Sequence, residues 1–346
     1  MESERILGQN HILRHFENAI RMGKISHAYI INGEEGSGKM NLAIHFAKAL
    51  QCERNNSNKA INEDGERITV PGTACGQCKS CKQTDSKNQP DIKYITYEKS
   101  GIGVDEIREQ INDDIDIKPY SSPYKIYIVP ESEKMTVQAQ NALLKTIEEP
   151  PEYAIIILLT TNADTFLQTI LSRCVMLNIR PVKEDIIKNQ LTSQYGVGDY
   201  EARVAATFSN GNPGKAIKLA TSEEFKELKQ YVVGMFMSLE KGGMDIIGEA
   251  IKKTGTFKKQ IDEYFSLMRI WFRDILVYKA TNEEDQIIFQ DEYMTIEKMS
   301  QTYSFDDIND ILKAIDMAES RIKSNVNFDS TIEILLLSIK EKTSGK

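Results

Sequence analysis

Two sets of residues in this 346-residue sequence combine side-chain type and spacing in ways that chemistry can use. The first lies in Ile30–Met40, IINGEEGSGKM. Gly33, Gly38 and Lys39 occupy the fixed places of the phosphate cradle G-x-x-x-x-G-K-[ST], and Gly36 adds a further flexible point between them. Such glycines let backbone N–H groups turn toward phosphate oxygens at a helix N-terminus, where partial positive charge collects. Lys39 supplies a point charge. The last place is wrong: Met40 stands where a hydroxyl should hold magnesium, and a soft thioether does not ligate a hard cation. The second set is Cys52, Cys75, Cys78 and Cys81, four of five cysteines. The last three read C-x-x-C-x-x-C, and 22 residues separate Cys52 from Cys75. Four thiolates in one local cluster suit a closed tetrahedral zinc site of structural type. The rival is an iron–sulfur cluster, whose run needs another cysteine three residues further on, followed by proline. Asp85 stands there, which favours zinc. Lys79 and Lys82 lie beside the thiolates and offset part of their charge.

These residues must be positioned by regular elements. Tyr29, Ile30 and Ile31 before the glycine loop read as a strand, and Leu42, Ala43, Phe46, Ala47 and Leu50 after it as a helix that ends at Cys52. Upstream, Ile12, Leu13, Phe16, Ala19 and Ile20 predict an amphipathic helix. His11 and His15 lie one turn apart on it and are assigned to a solvated face; His27 is assigned to a hydrogen-bonded boundary position. Arg54 to Arg67 is polar and predicts a mobile loop. Further on, a strand is expected at Ile92–Ile95, a helix through Val104, Ile107, Ile111 and Ile115, and a strand at Lys125–Val129 (KIYIV). A helix from Thr136 to Ile147, stopped by Pro150 and Pro151, and a buried strand at Ala154–Thr160 follow. Strands alternating with helices around a phosphate loop predict a parallel α/β sheet with its ligand at the strand C-termini. ATPases carry an Asp at the end of the KIYIV strand, usually followed by a Glu that orients water. Here the pair is Pro130 and Glu131, so a second metal contact is missing. The two losses together argue against ATP hydrolysis and leave ATP or ADP binding untouched.

Length predicts more than one domain, and the apolar fraction is ordinary for a folded soluble protein. The net charge of −8 lacks the basic excess of a chain whose main ligand is nucleic acid. A zinc-dependent nucleic-acid binder is therefore the weakest reading. Met1–Gln9 predicts no signal peptide, and no apolar run is long enough to span a membrane, so a cytoplasmic protein without membrane contact is expected. Val182–Leu219 reads as a small helical lid. Thr221–Glu224 has a capping-box pattern that could open the next domain, and Ser304–Asp307 has another. Helix-period core residues such as Tyr264, Leu267, Met268, Trp271 and Ile275 make the last third an all-helical bundle.

The strings QNALLKTIEEPP (Gln140–Pro151), TILSRC (Thr169–Cys174) and GNPGKA (Gly211–Ala216) resemble the AAA+ clamp-loader ATPases, as do the phosphate loop and the four cysteines after it. WFRDILVYK (Trp271–Lys279) and SNVNFDSTIEILLLSI (Ser324–Ile339) look like that family's collar domain. The resemblance implies an AAA+ core over 1–180 with a zinc module at about 52–90, a helical lid over 181–221 and a collar over 222–346. It implies membership of a hetero-pentameric ring with gamma/tau-type and delta-type subunits, which loads a sliding clamp onto primed DNA. It makes Arg173, in the SRC triplet, an arginine finger acting in trans on a neighbour's ATP. It places Lys215 where relatives carry a lid arginine that senses the γ-phosphate, and Thr161 or Asn162 at the first sensor position. Cys174 is assigned to packing. An intact finger beside degraded metal contacts marks a non-hydrolysing subunit; the alternative is a gamma/tau-like motor subunit, for which Lys39 and Glu131 speak.

Overall fold

A computed structural model of the chain describes residues 6–56, 71–98, 101–241 and 245–344. It divides into two compact units, 1–186 with 211–215, and 187–210 with 216–346. The expected loop at 54–67 falls outside the described residues except for 54–56, which close a helical turn.

The first unit is built on five strands: β1 Ala28–Asn32, β2 Ile92–Tyr94, β3 Lys125–Val129, β4 Ala154–Thr160 and β5 Val175–Asn178. Their order is β2-β3-β4-β1-β5 and every pairing is parallel. Successive side chains point to opposite faces. Tyr29 and Ile31 therefore join Ile126, Ile128, Ile155, Ile157 and Leu159 against the helices Asn10–Met22 and Lys39–Gln51. Ile30, Tyr127, Val129, Ile156 and Leu158 face the run 104–115 and the helix Val137–Glu148 instead. Covering both faces leaves no polar side to the central strands, which is why β3 and β4 read as unbroken apolar runs.

Helix ends follow local chemistry. Gly23 closes the first helix in the left-handed conformation, with φ 61°. Thr136 Oγ1 accepts from Ala139 N at 3.2 Å and starts Val137–Glu148, and Pro150 lies just past its end. The first residue of β3, Lys125, is buried, and its ammonium pairs with Asp114 at 2.8 Å and donates to the carbonyls of Asp114 and Ile117.

The second unit is all-helical, with long helices at Glu223–Lys241, Ile261–Thr281, Phe305–Lys323 and Phe328–Ser344. Trp271 is fully buried between Phe236 and Phe289. Asp274 is also fully buried; it accepts from the N–H groups of Ile288 and Phe289, each at 2.8 Å, and pairs with Arg273 at 2.7 Å. Ser304 and Asp307 form the expected capping box. At the other expected cap the acceptor is Ser222, whose Oγ takes Phe225 N at 3.2 Å, one residue later than the Thr221–Glu224 pattern suggests. No described helix is long and apolar enough to cross a membrane.

Candidate functional site

The phosphate loop joins the C-terminal end of β1 to the helix Lys39–Gln51. Gly36 and Gly38 have φ of 79° and 95°, backbone that a side chain would strain. Lys39 Nζ donates to its own loop, to Gly33 O at 2.6 Å and Glu34 O at 2.8 Å. Burial lowers its pKa, against the pull of Glu133, Glu35, Glu131 and Glu34. Met40 packs its side chain against the core on the Tyr29/Ile31 face of the sheet, so nothing at this position offers oxygen to a cation. The segment 211–215 lies on the loop. Gly214 N donates to Gly36 O at 3.1 Å, and Asn212 Nδ2 donates to Glu35 O at 2.7 Å. A Cβ on Gly214 would meet Gly36 O at 2.5 Å, so this approach requires glycine. Lys215 donates its backbone N–H to Asn212 Oδ1, and its side chain is exposed.

At the end of β3 the carboxylate of Glu131 is already engaged. It accepts from Tyr97 OH and from Lys134 Nζ, the latter at 2.8 Å, and the residue has φ of 47°. Its pKa is lowered by Lys134, then by Tyr97. Thr161 bonds Glu133, with Oγ1 donating at 2.8 Å, while Asn162 Oδ1 accepts Asp164 N as the cap of the next turn. Of the two expected sensor positions, Thr161 thus touches a carboxylate and Asn162 serves its own backbone.

Arg173 follows the short helix Gln168–Leu171. Its Nη1 donates to Thr169 O at 3.1 Å and Ser172 Oγ at 3.2 Å, and its Nη2 lies 3.1 Å from Glu148 Oε1. The side chain is still 41 % exposed, so a neighbour can reach it. Cys174 packs against the core, and burial pushes its thiol up to about 12, which fits packing and not reactivity.

Cys52, Cys75, Cys78 and Cys81 converge, with all four Sγ atoms within 4.8 Å of one another. Cys52 caps the phosphate-loop helix, and Cys78 caps the helix Lys79–Asp85 by accepting from Cys81 N. Backbone N–H groups of Cys75 and Cys78 also point at sulfur, 3.3 Å from Cys52 Sγ and 3.4 Å from Cys75 Sγ. Tetrahedral zinc–thiolate geometry needs sulfurs about 3.8 Å apart, and Cys75 and Cys81 already lie at 3.9 Å. The donor set fits a metal such as zinc. Asp85, where an iron–sulfur run would want cysteine, pairs instead with Lys48 of the phosphate-loop helix. His11 and His15 are exposed, and His27 Nδ1 bonds Ala154 O at 3.0 Å. Sequence reasoning did not find Glu148, Asn212 or Tyr97; of these only Glu148 and Asn212 lie inside strings already singled out.

A parallel sheet in this strand order, a phosphate loop after β1, and an exposed arginine in an SRC turn define an AAA+ core with an added four-cysteine module. The chain belongs to the family described as "DNA polymerase III, delta subunit", which matches residues 8–183; the family of that subunit's C-terminal part matches 248–341. It is 27 % identical over 337 residues to DNA polymerase III subunit delta' of Bacillus subtilis, covering 96 % of each chain. To subunit tau of Bacillus subtilis it is 34 % identical over 221 residues, 62 % of this chain but only 36 % of tau. Among solved structures, a gamma subunit-related protein of Thermotoga maritima aligns over 96 % of this chain and 99 % of its own, at 20 % identity and a TM-score of 0.40. The Bacillus subtilis clamp loader delta protein aligns over 95 % and 99 %, at 14 % identity and a TM-score of 0.31. The chain is a homologue of the clamp-loader subunit delta-prime and of gamma/tau.

Proposed function

We propose that this chain is the non-hydrolysing delta-prime-type subunit of a clamp loader, which lends Arg173 to the ATP site of an adjacent gamma/tau-type subunit. The observation that carries the reading is a contrast within one unit: Met40 is half-buried and packs against the core, and Pro130, the residue after β3, has no carboxylate, while Arg173 remains exposed. Magnesium needs oxygen ligands, and neither place supplies one. A guanidinium offered across a subunit boundary stabilises charge on the transferring phosphoryl group, worth roughly 10³–10⁵ at the site it serves. Met40 and Pro130 weigh against the motor-subunit alternative, which needs side-chain oxygens for magnesium at both places. ATP or ADP could then occupy the loop through Gly33, Gly36, Gly38, Lys39 and Lys215 only as a structural ligand.

In this reading 1–180 is the AAA+ domain, 181–221 the lid and 222–346 the collar that holds a hetero-pentamer of gamma/tau, delta and this subunit. The assembled cytoplasmic complex meets the sliding clamp and primed DNA. Cys52, Cys75, Cys78 and Cys81 hold zinc, which fixes the module to the phosphate-loop helix and does no chemistry. The test is turnover. The purified chain should show no magnesium-dependent ATP hydrolysis. The complex reconstituted with gamma/tau and delta partners should lose DNA- and clamp-stimulated ATPase on Arg173→Ala. Robust hydrolysis by the chain alone, or full activity of the Arg173→Ala complex, would refute the assignment.

A further inference from the structure

The helix Val137–Glu148 holds the arginine turn at two points. Near its start the buried side chain of Gln140 donates to Thr165 O at 3.1 Å and accepts from Leu167 N at 2.8 Å. These bonds fix the entry to the turn that carries Arg173. At its far end Glu148 receives the guanidinium itself, through Nη2 at 3.1 Å. Thr169 O and Ser172 Oγ take Nη1. The planar fork is therefore held on two of its nitrogens from two separate segments.

Glu148 is badly placed for its own helix. The C-terminal end of a helix carries partial negative charge, so a carboxylate in the last turn is disfavoured. Helix stability gives no reason for an acid here, and Glu149 follows it with a second one. The cation of Arg173 offsets this local charge. An isolated half-exposed ion pair adds little to folding, with side chains here 41 % and 45 % exposed. What such a pair does supply is direction: it selects one rotamer of a long side chain that otherwise samples many.

We propose that Glu148 is a positioning residue for Arg173: it aims the guanidinium while leaving it open to a neighbouring subunit. The inference rests on the trans-acting role of Arg173 proposed above. Preorganisation of this kind affects the chemical step more than nucleotide binding, because a finger must be placed to within a fraction of an ångström where charge develops.

The experiment measures clamp- and DNA-stimulated ATPase of the reconstituted complex carrying Glu148→Ala, Glu148→Gln, Arg173→Ala or the double substitution Glu148→Ala/Arg173→Ala. Glu148→Ala should lower kcat about threefold to tenfold and leave KM for ATP within about twofold. Glu148→Gln should keep most of the rate, since the amide oxygen still accepts from Nη2. In the Arg173→Ala background, Glu148→Ala should cost nothing further. A merely structural role predicts the opposite pattern: equal fractional losses in both backgrounds and a lower melting temperature of the isolated chain. That pattern, or a parent-like Glu148→Ala beside an impaired Arg173→Ala, would overturn the inference alone. An Arg173→Ala complex of full activity would remove the finger reading and this inference together.

Discussion

Replacing Asp274 separates two roles that one buried carboxylate can play in the helical unit. Its Oδ2 accepts from Ile288 N and Phe289 N, both at 2.8 Å, while its Oδ1 faces Arg273 Nη1. Burial pushes the carboxyl above its ordinary range, against the opposing pull of Phe289 N, Arg273 and Ile288 N. Two of its bonds come from neutral backbone N–H groups, so the site needs an acceptor here whether or not the group is charged. Asp274→Ala strands two N–H donors in a dry region, each costing about 1–3 kcal/mol when unpaired, so the expected loss is about 2–5 kcal/mol. Asp274→Asn can turn its carbonyl oxygen to the two N–H groups. Its NH₂ group then meets Arg273, which is 45 % exposed and can swing into water. That variant should lose no more than about 1 kcal/mol, because it also removes a buried charge. The assay is urea unfolding followed by tryptophan fluorescence. Trp271 is the chain's single tryptophan and is fully buried one helical turn from Asp274, so the signal reports this unit. Equal shifts in midpoint for the Ala and Asn variants would show that the ion pair, and not the acceptor geometry, carries the stability.

Three further outcomes follow from the first unit. Purified protein should contain about one zinc per chain, and Cys75→Ser should lower both zinc content and melting temperature; visible absorbance from iron would refute the zinc assignment. The carboxyl of Asp114, raised by burial but pulled down further by Lys125 and Tyr127, lies below its ordinary 3.8. A depressed acid stabilises above its unfolded pKa and loses that contribution as pH falls through its folded value. The stability gap between parent and Asp114→Asn should therefore be constant near neutrality and close as pH drops below about 4; a gap that widens on acidification contradicts the assigned pairing. Gly214→Ala should destabilise the first unit by about 1–3 kcal/mol as an overpacked contact, since its Cβ would meet Gly36 O at 2.5 Å; unchanged thermal unfolding would show that the 211–215 segment does not rest on the loop.

The strands were legible where burial is two-sided. β3 and β4 match the apolar runs 125–129 and 154–160 residue for residue, because every one of their side chains is buried. β5 was not found: it is an edge strand with only Leu177 buried, so it lacks both a continuous apolar run and a clean alternation. The apolar spacing at Val104, Ile107, Ile111 and Ile115 marked a helix, and these residues do lie on one. Its middle, Arg108–Asn112, is wound as a π-helix. There the Asn112 side chain donates to Ala142 O and accepts from Thr146 Oγ1. A local change in backbone winding of this kind leaves no mark on the apolar spacing.

The same distinction governs the candidate site. Cysteine spacing announced the thiolate cluster, since metal chemistry fixes both residue type and separation, and the four Sγ atoms do converge. Glu131, by contrast, counted toward an ATPase while only its identity was known. In the fold it is held by Tyr97 and Lys134. Tyr97 lies 34 positions from Glu131 in sequence, so no local pattern could reveal the pairing. Arg173 shows the reverse case. Its guanidinium pairs with Glu148, yet the geometry leaves the side chain open on the solvent side. A residue's type states what chemistry it is able to do; which groups already occupy its donors and acceptors decides whether any of that capacity is left for a partner.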